Sequence, residues 1–499
     1  MKLIQFLSTI FFLLFLSCNS TKEEAKPENE SKVKDEKVTL SGSAKDYLSG
    51  DEFVIKNITV IDGLGNKQKE GQDIHIVAGK IKSISNTGTQ QLTASAKVVD
   101  GTGLTAMPGL IDMHVHIKSS WTGGNILVDK YTAGYDDKGV QQTLAGYLYS
   151  GVTTTLDVGS KTSFVVRARD LIKNGEFLGP RLYTTGMPFS QGPSGWDGAN
   201  LAAGITDLEE LSTKIDTNNP EEIGAILDEY VKNDIHIIKL YSGISALAGT
   251  FLIKEAKKRG IITVADLWQL NMDQDWMKMT GLDGWAHSSP FVVTDFANKW
   301  LADNDRFVIA TANVGEKMAG LRVKEDGDKQ SFFKNQLVVD IYGEEVVKDF
   351  YDSYPDVRES LYEGPESFYQ QYNFGDLSKF RDAFLVNIKN AHDAGVLVAG
   401  GSDSPTYPSL WVGESMHREL ELFVMAGITP IEAIMMCSYN GAKILKKEDQ
   451  FGSLQPGISA DILIVKGKPW ENISDTRNIE QIFVRGQLLD RKKLLTSWK

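Results

Sequence analysis

The stretch "MPGLIDMHVHI", Met107 to Ile117, closes an apolar run on two histidines, His114 and His116, one residue apart. Successive side chains of a β-strand point to opposite faces, so residues two apart share a face. If this run is a strand, both imidazoles stand on one side at its end. Paired imidazoles suit a metal ion, and the question is what completes such a site.

Working outward, apolar runs of strand type recur as "LIDMHVHI", "VTTTLDVG", "RLYTTGM", "IHIIKLYSG", "IITVADL", "LDGWAHS", "RFVIATAN" and "VLVAGGSDS". Helical patterns such as "NPEEIGAILDEYVKND" and "GTFLIKEAKKRG" fall between them. Eight alternating β/α units are the number that closes a TIM barrel, whose chemistry sits at the C-terminal strand ends. Strands one and eight are neighbours in a closed barrel. His114 and His116 end the first, and Asp403 of "GGSDS" ends the last, so two imidazoles and a carboxylate converge there. That donor set suits a borderline divalent ion such as zinc.

The flanks read differently. "EFVIKNITVIDG", "QDIHIVAGKIKSIS" and "AKVVDGTG" are short β patterns, and "ADILIVKG" and "IEQIFVRGQLLD" repeat the style near the C-terminus. The expected architecture is therefore α/β: a (β/α)8 TIM barrel over 107–449 with a small β-sandwich built from both chain ends, 51–106 and 450–499. The segment from Gly320 to Lys379 is long, charged and aromatic-rich, and is a candidate lid.

The chain has 499 residues and a formal net charge of −13, which argues against a nucleic-acid-binding surface. Its two cysteines, Cys18 and Cys437, exclude a disulfide framework and a cysteine-rich zinc site. The N-terminal "MKLIQFLSTIFFLLFLSC" has one early lysine and an apolar core from Leu3 to Leu16. That core is shorter than the roughly 20 residues of a spanning helix and reads as a signal sequence. A cysteine directly after it resembles a bacterial lipoprotein signal, with Cys18 as the acylated first residue. Residues 19–50 are polar and charged and read as a disordered tether. The expected location is outside the cytoplasm, either membrane-anchored through lipid alone or periplasmic.

"MPGLIDMHVH", "AGGSDS" and the closing "GSLQPGISADILIV" together resemble the amidohydrolase superfamily, in its imidazolonepropionase- and prolidase-like branch, over about Asp51 to Asp490. The resemblance implies one or two divalent ions, zinc first, and further ligands. Lys239 of "IHIIKLYSG" stands where many members carry a carboxylated lysine that bridges two metals, which is the reading preferred here over an ordinary lysine paired with Asp403 or Asp266. His287 of "GWAHSSP" stands at the strand-six ligand position. Strand five departs: the usual histidine is replaced by Asp266, which either ligates in its place or only neutralises Lys239. The loop "FSQGPSGWDG", Phe189 to Gly198, lacks the histidine that dipeptidase-like members use on substrate.

Tyr241 shares the face of Lys239 by alternation and is a candidate contact to a substrate carbonyl. His75, His236, His392 and His417 read as structural. No Gly-x-Ser-x-Gly elbow or phosphate loop is present. The expected activity is hydrolysis of a C–N bond in an amide, cyclic amide or dipeptide by metal-activated water, with Asp403 as general base. The substrate is a small molecule or dipeptide, no nucleic-acid partner is expected, and homo-oligomerisation is left open. A one-metal deaminase and a non-catalytic ligand-binding barrel are the alternatives.

Overall fold

The computed structural model of the chain describes residues 43–89, 95–117, 137–191, 212–216, 219–241, 243–266, 274–289, 293–318, 335–345, 347–348, 378–405 and 410–498. The signal sequence, and all of the tether before residue 43, lie outside these. So do residues 192–198 of the strand-three loop and most of the candidate lid, of which Gln336–Tyr342 forms a helix.

Strands from both chain ends form one nine-stranded sheet. Its N-terminal members are β1 (Leu48–Ser49), β2 (Glu52–Val60), β3 (Lys69–Val77), β4 (Lys80–Asn86), β5 (Lys97–Asp100) and β6 (Leu104–Pro108). The central part of the chain supplies β7 (Leu110–Val115), β8 (Val152–Asp157), β9 (Arg181–Thr184), β10 (Phe189–Ser190), β11 (Thr213–Lys214), β12 (Ile237–Leu240), β13 (Ile262–Asp266), β14 (Gly284–Ala286), β15 (Phe307–Ile309) and β16 (Leu397–Ala399). The last strands, β17 (Ile462–Lys466), β18 (Ile479–Val484) and β19 (Gln487–Leu489), return to the first sheet, whose order is β1-β19-β18-β17-β6-β2-β3-β4 with β5 on β2. Phe53 of β2 meets Phe483 of β18 edge to face, at 5.0 Å between ring centroids, although two strands separate theirs in the sheet. The sheet therefore curls over a core of Phe53, Ile55, Ile74, Ile462 and Phe483.

Two differences from the sequence reading follow. Residues 43–50, expected in the tether, begin the fold: a 3-10 turn at Ala44–Asp46 leads into β1, which pairs with β19. Leu48 gains burial there, a contact that a polar context does not advertise. Met107 and Pro108, expected to open the barrel, belong to β6 and pair with β17.

All eight expected barrel runs carry strands. The central strands are parallel and form two arcs, β7-β8-β9 and β11-β10-β12-β13-β14-β15-β16. The arcs meet where β7 lies beside the end of β16: Met113 donates to the Gly400 carbonyl at 3.1 Å and Asp403 N–H to the His114 carbonyl at 2.7 Å. Helices follow the strands, among them α1 (Pro220–Lys232), α2 (Ala246–Lys258), α3 (Ala312–Met318), α4 (Ser378–Asp393) and α5 (Glu414–Met425). In α1, Pro220 starts the helix, two glutamates fill its first turn, Lys232 its last, and Ile223, Leu227 and Tyr230 form the buried stripe. Inside the arcs, Ile111, Met113, Leu156, Ile237, Val264, Ile309 and Ala399 form a separate apolar core.

Candidate metal centre

The site grows from that inner core by the two-residue period of the strands. One step beyond Ile237 stands Lys239; beyond Val264, Asp266; beyond Ile309, Thr311. Apolar side chains fill the interior below, and polar ones are delivered at the C-terminal ends. His114 and His116 arrive from β7 and Asp403 from the chain after β16.

These last three come together. One donor atom from each of His114, His116 and Asp403 lies within 4.8 Å of the others, and all three residues are buried. His116 Nε2 is 3.2 Å and His114 Nε2 3.5 Å from Asp403 Oδ1. Asp266 forms a second meeting point: its Oδ2 is 3.3 Å from His287 Nε2 and 3.6 Å from Lys239 Nζ. The two groups abut, since the rings of His114 and His287 are 4.6 Å apart between centroids. The Lys239 ammonium lies 5.3 Å from the centre of the Tyr241 ring, so Tyr241 does border the site. Every residue singled out from the sequence is therefore within one neighbourhood.

The electrostatics set the protonation states. Burial, then the charges of Lys239, His287 and His116, push the His114 pKa well below its ordinary value, leaving a neutral imidazole. Burial alone would raise Asp403, but the bond and charge of His116, with His287 and Lys239, outweigh it and hold the carboxyl below its usual value. Lys317 of α3 is also buried; desolvation pushes its pKa well down, and the Asp403 charge opposes that shift.

Three strand-end residues bend the backbone into the left-handed region: His287 at φ 68°, Thr311 at 46° and Asp403 at 57°. Such conformations cost on the order of 1–3 kcal/mol each and persist only when surroundings fix them. For Asp403 the fixing groups are visible. Ser402 donates its N–H at 2.8 Å, and its hydroxyl, to the buried Asp112 carboxylate, which also takes the His114 N–H at 3.2 Å. Burial pushes Asp112 up to about 7 against these bonds. Ser404 is joined to Ser402 at 2.7 Å and to the Tyr147 hydroxyl at 2.9 Å. Gly401 allows the approach of the strands, because a Cβ there would stand 2.8 Å from His114 Cβ. His287 is held by Thr311, whose hydroxyl is 2.8 Å from Nδ1.

Asp112, Thr311, Ser402, Ser404 and Lys317 were not singled out from the sequence. The first two carry a readable signal: Asp112 precedes His114 by two, and Thr311 is the polar residue ending an apolar run. The other histidines are structural in the sense expected. His75 bonds Glu52, His236 bonds Asp234, His392 lies 3.6 Å from Glu432, and His417 bridges Thr476 and the Ser150 carbonyl.

The amidohydrolase family model matches residues 105–263 and 380–489. This chain belongs to the amidohydrolase family. Among curated proteins, a dihydroorotase of Pelotomaculum thermopropionicum is 43% identical over 67 residues, 13% of this chain and 15% of that protein. An adenine deaminase of Clostridium perfringens is 42% identical over 71 residues, 14% of this chain and 12% of that protein. The chain thus spans only about 15% of the length of the curated relatives it matches first. Solved structures agree over most of their length. A Xaa-Pro dipeptidase with bound methionine in its active site covers 88% of this chain and 99% of its own, at 20% identity and a TM-score of 0.64. Phenylurea hydrolase B covers 89% and 98%, at 17% identity and a TM-score of 0.67. These likenesses are of fold, and with the family they imply the TIM-barrel architecture to which the parallel arcs conform.

Family members depend on a metal, and the donor set here fits one. Among the described residues, both ring nitrogens of His114 are buried without a hydrogen-bond partner. Buried polar atoms are nearly always satisfied. A neutral imidazole, a second imidazole and an ionised carboxylate within one small volume are a donor set that could hold a divalent ion.

Proposed function

We propose that this protein is a metal-dependent hydrolase of C–N bonds in an amide, cyclic amide or dipeptide. The observation that carries the reading is the buried group of His114, His116 and Asp403, in which the His114 ring nitrogens make no hydrogen bond to any described residue. These three residues would hold the first ion, Asp266 and His287 the second, and Lys239, once carboxylated, would lie between the two. Bound there, a divalent ion supplies Lewis acidity and a lowered pKa for water. Zinc is our first assignment, because nitrogen and carboxylate donors at a compact site suit it. Asp403, held ionised, takes a proton from the attacking water and passes it to the leaving nitrogen. Tyr241 orients the scissile carbonyl from beside Lys239. In this reading the eight expected strands, β7 to β9 and β12 to β16, close into one barrel, with the two-residue strands β10 and β11 additional to them, and the curled nine-stranded sheet is the small β-sandwich. Export as a lipoprotein acylated at Cys18 is proposed from the sequence; replacing Cys18 by serine should then move the protein out of the membrane fraction.

The test is to load the purified protein with zinc or manganese and assay dipeptides, lactams and N-acyl amino acids, with His114→Ala as control. Metal-dependent turnover of one class, lost in the control, is expected. Full metal content in His114→Ala would remove the basis of the reading. A second reading, a one-metal deaminase, is favoured by Asp266, whose carboxylate engages Lys239 and His287 at once. One equivalent of bound metal together with ammonia release from an aminated ring would select it.

A further inference from the structure

Fixing His287 requires fixing Thr311, and the structure shows what lies behind that residue. Thr311 is β-branched and sits at φ 46°, a conformation such residues rarely hold. On one side Ala310 is locked by strand rungs, donating to the Ala399 carbonyl at 2.9 Å and accepting from Ser288 N–H at 2.8 Å. On the other side α3 begins, and its first donors are taken by a fully buried carboxylate more than 100 residues away in the chain. Glu419 of α5 accepts from Ala312 N–H at 2.8 Å through Oε1. Its Oε2 accepts from Asn313 N–H at 3.0 Å and Asn313 Nδ2 at 2.7 Å. Asn313 Nδ2 also reaches the Ser415 carbonyl at 2.8 Å.

We propose that Glu419 is a positioning residue for His287, acting through the Ala312–Asn313 turn and the Thr311 hydroxyl. The inference rests on the reading of His287 as a metal ligand. Glu419 clamps the chain immediately after Thr311, as the rungs clamp it before. Between the two, the Thr311 hydroxyl stays at Nδ1 of His287. With an ion at Nε2, Nδ1 would carry the proton and donate it to that hydroxyl; without one, Nε2 donates to Asp266 at 3.3 Å and the hydroxyl donates to Nδ1. A ligating histidine gains orientation and a fixed tautomer from such a bond on its other nitrogen. Both oxygens of Glu419 are needed. A glutamine there keeps one acceptor and turns an NH2 group towards the remaining N–H donors. Aspartate is one methylene too short to serve both positions.

The experiment compares the full-length protein with Glu419→Gln, Thr311→Val and Thr311→Ser. Histidine-ring nitrogen NMR is recorded metal-free at a pH where the imidazoles are neutral, with the His287 signals assigned by their loss in His287→Gln. Zinc affinity is then measured by competition with a chelator. In the wild type and Thr311→Ser, the His287 ring should give one sharp pair of nitrogen signals, with Nδ1 shifted by its bond to the hydroxyl. In Thr311→Val and Glu419→Gln the Nδ1 signal should move to that of a nitrogen without that bond, and zinc should bind roughly 10- to 100-fold more weakly. A lower melting temperature in Glu419→Gln with ring signals and affinity unchanged would overturn the proposal, because it would show a structural role alone. An unchanged Nδ1 signal in Thr311→Val would overturn it equally, and needs no Glu419 variant to fold. If His287→Gln binds zinc as tightly as the wild type, the ligand reading fails; the metal-free ring spectra then still decide whether the clamp exists.

Discussion

His417 gives a sharp test of the buried core that supports the site. It is fully buried in α5, with Nδ1 2.9 Å from the Thr476 hydroxyl and Nε2 2.9 Å from the Ser150 carbonyl. Burial and the nearby Arg477 charge push its pKa from 6.5 to about 4, against the bond to Ser150 and the charges of Glu414 and Glu421. In the unfolded chain the ring takes up a proton near its ordinary pKa; in the fold it resists until about pH 4. Its contribution is therefore present above the unfolded pKa and is lost as pH falls from 6.5 towards 4. A tenfold change in proton affinity is about 1.4 kcal/mol, so the full effect is about 3 kcal/mol. Between pH 7 and pH 5 the linkage amounts to about 2 kcal/mol. His417→Gln keeps a neutral donor near the Ser150 carbonyl and removes the titration. Urea unfolding of both proteins across that range should show the wild type losing about 2 kcal/mol more than the variant. Parallel pH profiles would refute the reasoning, as would a His417 NMR titration midpoint near 6.5.

Three further outcomes are expected. Lys239→Ala should lose activity and regain part of it with short-chain carboxylic acids, which substitute for a carbamate between two ions; no rescue in a fully loaded variant argues against carboxylation. Asp266→Ala should reduce metal stoichiometry while Asp266→His preserves it, as read by elemental analysis. Gly401→Ala places a methyl against His114 Cβ and the His114 N–H, so it should destabilise by about 1–3 kcal/mol and lower metal content, checked by denaturant melts of apo and loaded protein.

The parallel strand arcs were legible because their strands are buried on both faces and read as apolar runs ending in polar residues. Their ladders are shorter than the runs for a reason seen at His287. "LDGWAHS" spans residues 282–288, yet β14 is Gly284–Ala286, because His287 turns to φ 68° to enter the site. β1, β10 and β11 escaped notice since two residues carry no period. Asp112 and Thr311 could have been found by the same two-residue rule that led from Lys239 to Tyr241. Glu419 could not. In sequence it is one more acidic residue of an amphipathic helix, and only the fold brings its carboxylate to a strand end more than 100 residues earlier.

The curled sheet also bears on how the chain is made. β6 has β2 on one side and β17 on the other, with Met107 opposite Leu463 and Pro108 opposite Ile462. Only Gly109 separates β6 from β7, the strand that delivers His114 and His116. A nascent chain that has completed every strand from β7 to β16 still lacks β17 on that edge. The first strand of the site is thus joined, through β6, to a strand that is among the last to be synthesised.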